Sequence, residues 1–306
     1  MRTALIKLHV SVFLAGFTGV FGKWISLGFA PLVWWRMLLA SVILYLYLRA
    51  IGTYRRLPNG RIAALGAAGG LQALCWVLFY ASIKLSTVSV ALVCISLMGF
   101  FTAILSPIIL GGRWRLREFV LSGITVVGIA LIFHFDTQYR LGIALGIISA
   151  ALGSLFVIYN KRFLEDLEPP LMFFYEISGG LALLTLLFPF YMHFAPAEPF
   201  FPGAADLGLL FILAALLTVV QFVMELQALR KVSAFTVNLS LNLEPIYSII
   251  LAALFLGEAK EFTRSFYAGL SLIILSVVLQ TATAYASRDS ASPGGAGLKL
   301  GADSTV

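Results

Sequence analysis

Apolar stretches of about 20 residues recur along the whole chain, and each is long enough to cross a bilayer. Ten can be read, at 6–26, 32–50, 62–83, 87–111, 117–135, 140–163, 170–193, 205–228, 233–257 and 263–286. Hydrocarbon offers no water to satisfy backbone N–H and C=O groups, so spans of this length must be helices bonded within themselves. The expected fold class is all-α integral membrane, with ten transmembrane helices and mostly short loops. Longer connections run from Arg49 to Arg61 and from His193 to Asp206, the latter carrying Pro196, Pro199 and Pro202. From Ser287 the chain reads SRDSASPGGAGLKLGADSTV, without apolar period, and is expected to be a flexible cytoplasmic tail.

Composition excludes several classes. Only 11% of residues are charged, against about 25% in a soluble domain. The formal charge is +7, but the basic residues sit in short loops between apolar runs. No basic run is long enough to track a phosphate backbone, so no nucleic-acid partner is expected. Cys75 and Cys94 lie inside apolar segments and read as small core residues, neither a disulfide framework nor a metal cluster. His9, His134 and His193 fall near expected helix ends, where interfacial histidines are commoner than ligands. Arg2 and Lys7 before an apolar run resemble a signal peptide. No clean small-residue cleavage site follows, and the segment reads as an uncleaved first helix.

Lysine and arginine placement gives an orientation. Fifteen fall on the side holding the N-terminus, the even-numbered loops and the tail, five fall on the other side, and Arg36 lies within the second span. That asymmetry puts both termini in the cytoplasm of a multi-pass inner-membrane protein. The chain also repeats itself. An offset of 146 lays Leu85–Gly123 on Lys231–Gly269 without a gap, matching Lys84 with Arg230 and Gly111 with Gly257. An offset of 139 lays Lys23 on Arg162 and Pro31 on Pro170. Two five-helix halves follow, 1–136 and 137–286, with 287–306 as the tail. Five is odd, so the second half must be inverted in the membrane, the plan of many secondary transporters with a midplane site.

Few ionisable residues remain inside the spans: Arg36, Glu176, Glu225 and Glu244. Intramembrane charges generally face a cavity or a partner. Arg36 follows Trp34-Trp35, and two readings stand, a gate or an interfacial anchor that snorkels. Under the 139 offset it falls against the Tyr175-Glu176 pair. Inversion sends the two positions toward opposite ends of their helices, so Arg36 and Glu176 are not expected to pair. Glu176 reads either as a gate or pathway group or as an ion-pair partner of Lys161 or Arg162. In the eighth span Thr218, Gln221 and Glu225 form one polar stripe, fit either to line an aqueous path or to hydrogen-bond a neighbouring helix. In the third span Gln72, Trp76 and Tyr80 recur every four residues. An amide with aromatic faces suits a planar or cationic metabolite, although Tyr80 also fits an aromatic belt.

The ninth span carries most information. Asn238 and Asn242 share one face, while Ser240, Glu244, Tyr247 and Ser248 share a roughly opposite one. A helix polar on two sides belongs inside a bundle. Pro245 lacks an N–H, which frees the Leu241 carbonyl and suggests a hinge or an extra acceptor. Glu244 itself reads equally as a functional acid or as a structural one at the proline break. Its counterpart in the fourth span is Met98, so the site should be asymmetric on a symmetric scaffold. Ser96, on that span, joins the candidate pathway. Gly16, Gly19 and Gly22, and likewise Gly142, Gly146 and Gly153, should allow close helix approach.

Several of these residues also form recognisable blocks. Glu244-Pro245, then Leu256-Gly257-Glu258 and Gly269, repeat in the first half as SPIILGGRWRLREFVLSG, where Gly112 stands in place of the glutamate. Pro31 and Arg36, followed by Met37-Leu38-Leu39-Ala40, add a further match. In these features the chain resembles the drug/metabolite transporter superfamily, specifically its ten-helix EamA-type members. The resemblance implies inverted halves, a central cavity lined mainly by helices three, four, eight and nine, and alternating access. It also implies a small solute as partner, and relatives of this kind export amino acids and other small metabolites. The Gly112 departure bears only on the role of that loop acid.

The expected function is thus secondary transport of a small metabolite such as an amino acid, outward, without cofactor or metal. The expected pathway residues are Gln72, Trp76, Tyr80, Ser96, Gln221, Glu225, Asn238, Asn242 and Glu244, with Arg36 and Glu176 as gate or coupling candidates. Efflux of cationic compounds is the alternative. An intramembrane enzyme would need paired acids, a serine–histidine set or an HExxH motif at shared depth, and the sequence offers none. A structural membrane subunit would need neither the repeat nor the buried glutamates.

Overall fold

The structure, a computed structural model, describes residues 2–111, 116–134, 139–164, 166–194, 199–232, 237, 240–241, 243–257 and 264–289. Among these residues there are helices and no strands. In chain order they are α1 (Arg2–Ala15), α2 (Thr18–Trp24), α3 (Phe29–Ala50), α4 (Asn59–Leu85), α5 (Val88–Ile95), α6 (Met98–Leu110) and α7 (Leu116–His134). There follow α8 (Arg140–Phe163), α9 (Pro169–Phe194), α10 (Ala204–Ala214), a π-helical stretch at Ala215–Val220, α11 (Gln221–Leu229), α12 (Glu244–Phe255) and α13 (Arg264–Asp289).

Among the described residues, seven stretches are long and apolar enough to cross a membrane: Thr3–Trp24, Phe29–Ala50, Asn59–Leu85, Val88–Leu110, Arg140–Phe163, Pro169–His193 and Ala204–Leu229. Shorter apolar helices lie at Phe119–Gly128, Glu244–Phe255 and Tyr267–Ser276. Leu46, Ile108, Leu186, Phe190 and Leu254 are all well exposed on the outer surface. Apolar side chains in such number outside, with polar ones inside, suit a lipid surround.

Three spans expected to be continuous are interrupted. The first breaks at Gly16-Phe17, the fourth at Ser96-Leu97, and the eighth widens into the π-helix. Part of the ninth, including Asn238 and Asn242, lies outside the described residues, as does Gly112. The tenth helix runs to Asp289, three residues past its expected end at 286. Because α1 begins at Arg2, His9 sits within that helix rather than near its end, on an exposed face.

Packing centres on α4, which lies against both α8 and α9. The α4–α9 crossing is backbone on backbone: a Cβ at Gly179 would overlap Gly66, and one at Gly69 would overlap the carbonyl of Glu176. Only glycine permits that approach. The glycines of α8 work similarly, with Gly142 against Ser86, Gly146 against Cys94 and Gly153 against Met98 and Cys75. At the break between α1 and α2 Gly16 meets Tyr247, and within α2 Gly19 meets Val88 and Gly22 meets Tyr80. To one side α7 pairs with α13, where Thr125 Oγ1 donates to Ser276 Oγ at 2.9 Å and Gly128 abuts Gly269.

The repeat is visible in the backbone. Leu97 N–H donates to the Cys94 carbonyl at 3.0 Å and Leu243 N–H to the Ser240 carbonyl at 3.0 Å, positions 146 apart. Helices α6 and α12 then start at Met98 and Glu244, again 146 apart, and end before Gly111 and Gly257. Both glycines hold a left-handed conformation, φ 72° and 71°, the usual αL helix stop. The break therefore belongs to the repeat and not to Pro245, since Gly99 occupies the proline's place in the first half. Pro245 sits in the first turn of α12, where its missing N–H costs nothing.

Candidate functional site

A cavity of about 80 Å³, measured as the space open to the centre of a water-sized sphere, lies where these interruptions meet. One water needs about 10–15 Å³ in that measure, so several waters or a small organic group fit. Five pairs of wall residues stand 146 apart: Cys75 and Gln221, Trp76 and Phe222, Phe79 and Glu225, Ile95 and Leu241, Met98 and Glu244. The wall is thus built twice from the same helical positions, once largely apolar and once carrying the acids.

Arg36 supplies the positive charge. Its guanidinium stacks on the Trp76 ring at 3.8 Å from the centroid, a cation–π contact strengthened by desolvation. Nε donates to Thr218 Oγ1 at 2.7 Å, one Nη to the Tyr80 hydroxyl at 3.0 Å and the other to the Leu217 carbonyl at 3.1 Å. Thr218 and Leu217 both belong to the π-helix, and the Thr218 hydroxyl donates onward to the Leu213 carbonyl. π-helical turns recur at functional sites, and this one presents two oxygen acceptors to the arginine. Arg36 is only 1% exposed, which overturns the snorkelling reading: the side chain turns inward because its acceptors are inside. The belt reading of Tyr80 falls for the same reason. Tyr80 is fully buried and grips Arg36, and it stands behind the cavity wall instead of in it.

The negative side comes from α11 and α12. Gln221 Nε2 donates to Glu225 Oε2 at 2.8 Å, and both residues are buried and line the cavity. Glu244 is half-buried in the first turn of α12, where the helix dipole favours an acid. Among the described residues no ion pair within 4 Å joins Arg36 to Glu225 or Glu244. One cation and two acids thus share a cavity without neutralising one another directly. Phe222 completes the floor, stacked on Phe173 at 5.1 Å and edge-on to Trp76 at 5.3 Å.

Of the expected pathway residues, Gln72, Trp76, Gln221, Glu225 and Glu244 meet at this cavity, and Arg36 with them. Ser96 does not line it. That residue is buried at the break, its hydroxyl turned to the Leu92 carbonyl at 3.4 Å. Glu176 is also elsewhere, 1% exposed, with neither carboxylate oxygen hydrogen-bonded to a described residue. Its expected ion pair with Lys161 or Arg162 is absent among the described residues; Lys161 Nζ serves the Leu229 and Val232 carbonyls at 2.6 and 2.7 Å. Sequence reasoning missed Thr18, Cys75 and Met98 as wall residues. Cys75 could have been found on the Gln72–Trp76 stripe, and Met98 as the counterpart of Glu244.

The profile of the EamA-like transporter family matches residues 2–134 and 140–282. No curated protein gives a significant match. One solved structure, titled only as the crystal structure of a protein, aligns over 92% of this chain and 98% of its own with a TM-score of 0.68. At 15% identity that likeness speaks to the fold alone.

Proposed function

Because the chain belongs to the EamA-like transporter family, a family of membrane transporters, we propose that it is a secondary transporter of a small metabolite such as an amino acid. In this reading all ten spans cross the inner membrane and both termini are cytoplasmic. Residues 1–136 and 137–286 are inverted halves that rock about the cavity, and transport runs outward. One observation carries it: repeat-related positions enclose a single cavity bearing Arg36 opposite unneutralised acids. An amphoteric solute needs both signs, and Arg36 has five N–H donors of which three are engaged by described residues. Gln72, Trp76, Gln221, Glu225 and Glu244 would contact the solute, joined by Asn238 and Asn242. Tyr80 and Ser96 would support the wall.

A second reading, efflux of organic cations, is favoured by two acids and four aromatic rings against one base. Exchange by reconstituted protein against leucine, phenylalanine, lysine and a planar organic cation separates the two. The first reading expects flux of amino acids and little of the cation. Flux of the cation alone supports the second, and no flux of any solute removes both.

A further inference from the structure

The fourth span of each half ends beside the first span of the other half, and the two junctions differ. In one, the end of α6 (108–111) and Lys161 and Arg162 at the end of α8 border a surface groove of about 590 Å³, in the measure that gives the central cavity 80 Å³. In the other, 254–257 and Lys23 hold the equivalent positions, offset by 146 and 139. One contact made twice ties the offsets to these ends: Lys84 Nζ donates to the Ile25 carbonyl at 2.8 Å, and Arg230 Nε to the Leu164 carbonyl at 3.1 Å. The junctions lie at opposite ends of the bundle. Lys84, near the end of α4, reaches the end of α2, whereas α8 runs antiparallel to α4, with Gly142 against Ser86 and Ser149 against Cys75.

At the Lys23 junction the Trp24 ring stands edge-on to Phe255 at 5.8 Å and joins the two helix ends. At the other junction Ile109 stands in place of Phe255, so no ring pair forms, and the groove lies between α6 and α8. Its lip is apolar and exposed, Ile108 at 62% and Leu110 at 40%. Lys161 turns to the Leu229 and Val232 carbonyls at the end of α11. Arg162 is exposed, and no hydrogen bond or ion pair joins it to a described residue. The described acids that follow it are taken, Asp166 by Arg61 at 2.9 Å and Glu168 by Arg230 at 3.3 Å. The negative ends of α6 and α8 disfavour an anion, so attraction must come from the guanidinium, whose planar fork matches two phosphate oxygens.

This end of the bundle is the one on which the sequence places fifteen basic residues against five, the pattern of a face that meets an anionic leaflet. We propose that the groove between α6 and α8 seats one anionic phospholipid, its headgroup phosphate on Arg162 and an acyl chain along Ile108 and Leu110. The lipid spans the ends of two helices that carry Met98, and Gly153 with Phe156, of the cavity wall. The site does not depend on which solute the protein moves.

Thermal midpoints in a neutral detergent, read as phosphatidylglycerol is titrated in, test the site. The wild-type midpoint should rise and saturate. Phosphatidylcholine with the same chains should raise it far less, and inorganic phosphate not at all. Arg162→Gln should move the half-saturating phosphatidylglycerol concentration upward roughly fivefold, the share of one basic residue at an anionic surface. Lys23→Gln should leave it in place, since Trp24 closes that junction. An unmoved Arg162→Gln titration overturns the proposal, as does an equal shift in both variants, which marks diffuse charge attraction. Equal stabilisation by phosphatidylcholine overturns it in favour of apolar packing alone, and by inorganic phosphate in favour of a free anion. Should Arg162→Gln not fold, Ile108→Glu takes its place: an acid on the exposed lip should move the titration in the same direction, and an unmoved one refutes the site.

Discussion

The two copies of the cavity wall differ far more in chemistry than in backbone. In the first half the wall positions carry Cys75, Trp76, Phe79, Ile95 and Met98; in the second, Gln221, Phe222, Glu225, Leu241 and Glu244. Both copies break their helix at the same place, restart it 146 residues apart and stop it on a left-handed glycine. The scaffold is held in common, and polarity has been placed mainly on one copy. Arg36 then faces the polar copy from the first half, so the cavity acquires direction without losing its frame.

Making the copies alike should have the largest effect. Glu244→Met gives both restarts the same residue and removes a charged contact worth about 1.5–3 kcal/mol. Exchange should fall roughly tenfold to a hundredfold while the folded yield by size exclusion is unchanged. The converse change, Met98→Glu, adds an acid at a buried position. A destabilisation of roughly 2 kcal/mol or more is expected, read as a fall of several degrees in the thermal midpoint.

Smaller effects sharpen the backbone half of the comparison. Gly111→Ala and Gly257→Ala each place a Cβ at φ near 70° and should cost about 1 kcal/mol. The two costs should be similar, and a large inequality in thermal stability would show that the stops are not equivalent. Pro245→Ala should change stability by less than about 1 kcal/mol and leave exchange intact, because the first half breaks at Leu97 without a proline.

Much of this was legible in the sequence. Apolar runs of bilayer length and the 146-residue offset suffice to anticipate the helices and to match Gly111 with Gly257. The polar stripes at Gln72–Trp76 and Gln221–Glu225 anticipate much of the wall, since helical spacing alone puts those residues on one face. The interruptions were not legible. Ser96-Leu97 contains neither glycine nor proline, and the π-helix lies in ALLTVV, apolar but for Thr218 and likewise free of glycine and proline. The interfacial reading of Arg36 failed because its position beside Trp34-Trp35 suggests a membrane boundary, while two of its acceptors, Thr218 and Leu217, lie about 180 residues away.

Cys75 offers a native reporter on the central claim that this cavity is the solute's path. It lines the wall, whereas Cys94 is buried outside it. In Cys94→Ser protein reconstituted in liposomes, the rate of Cys75 alkylation by N-ethylmaleimide can be followed with and without a saturating transported solute. The account predicts that the solute slows alkylation several-fold. An unchanged rate at a concentration that saturates transport would contradict it.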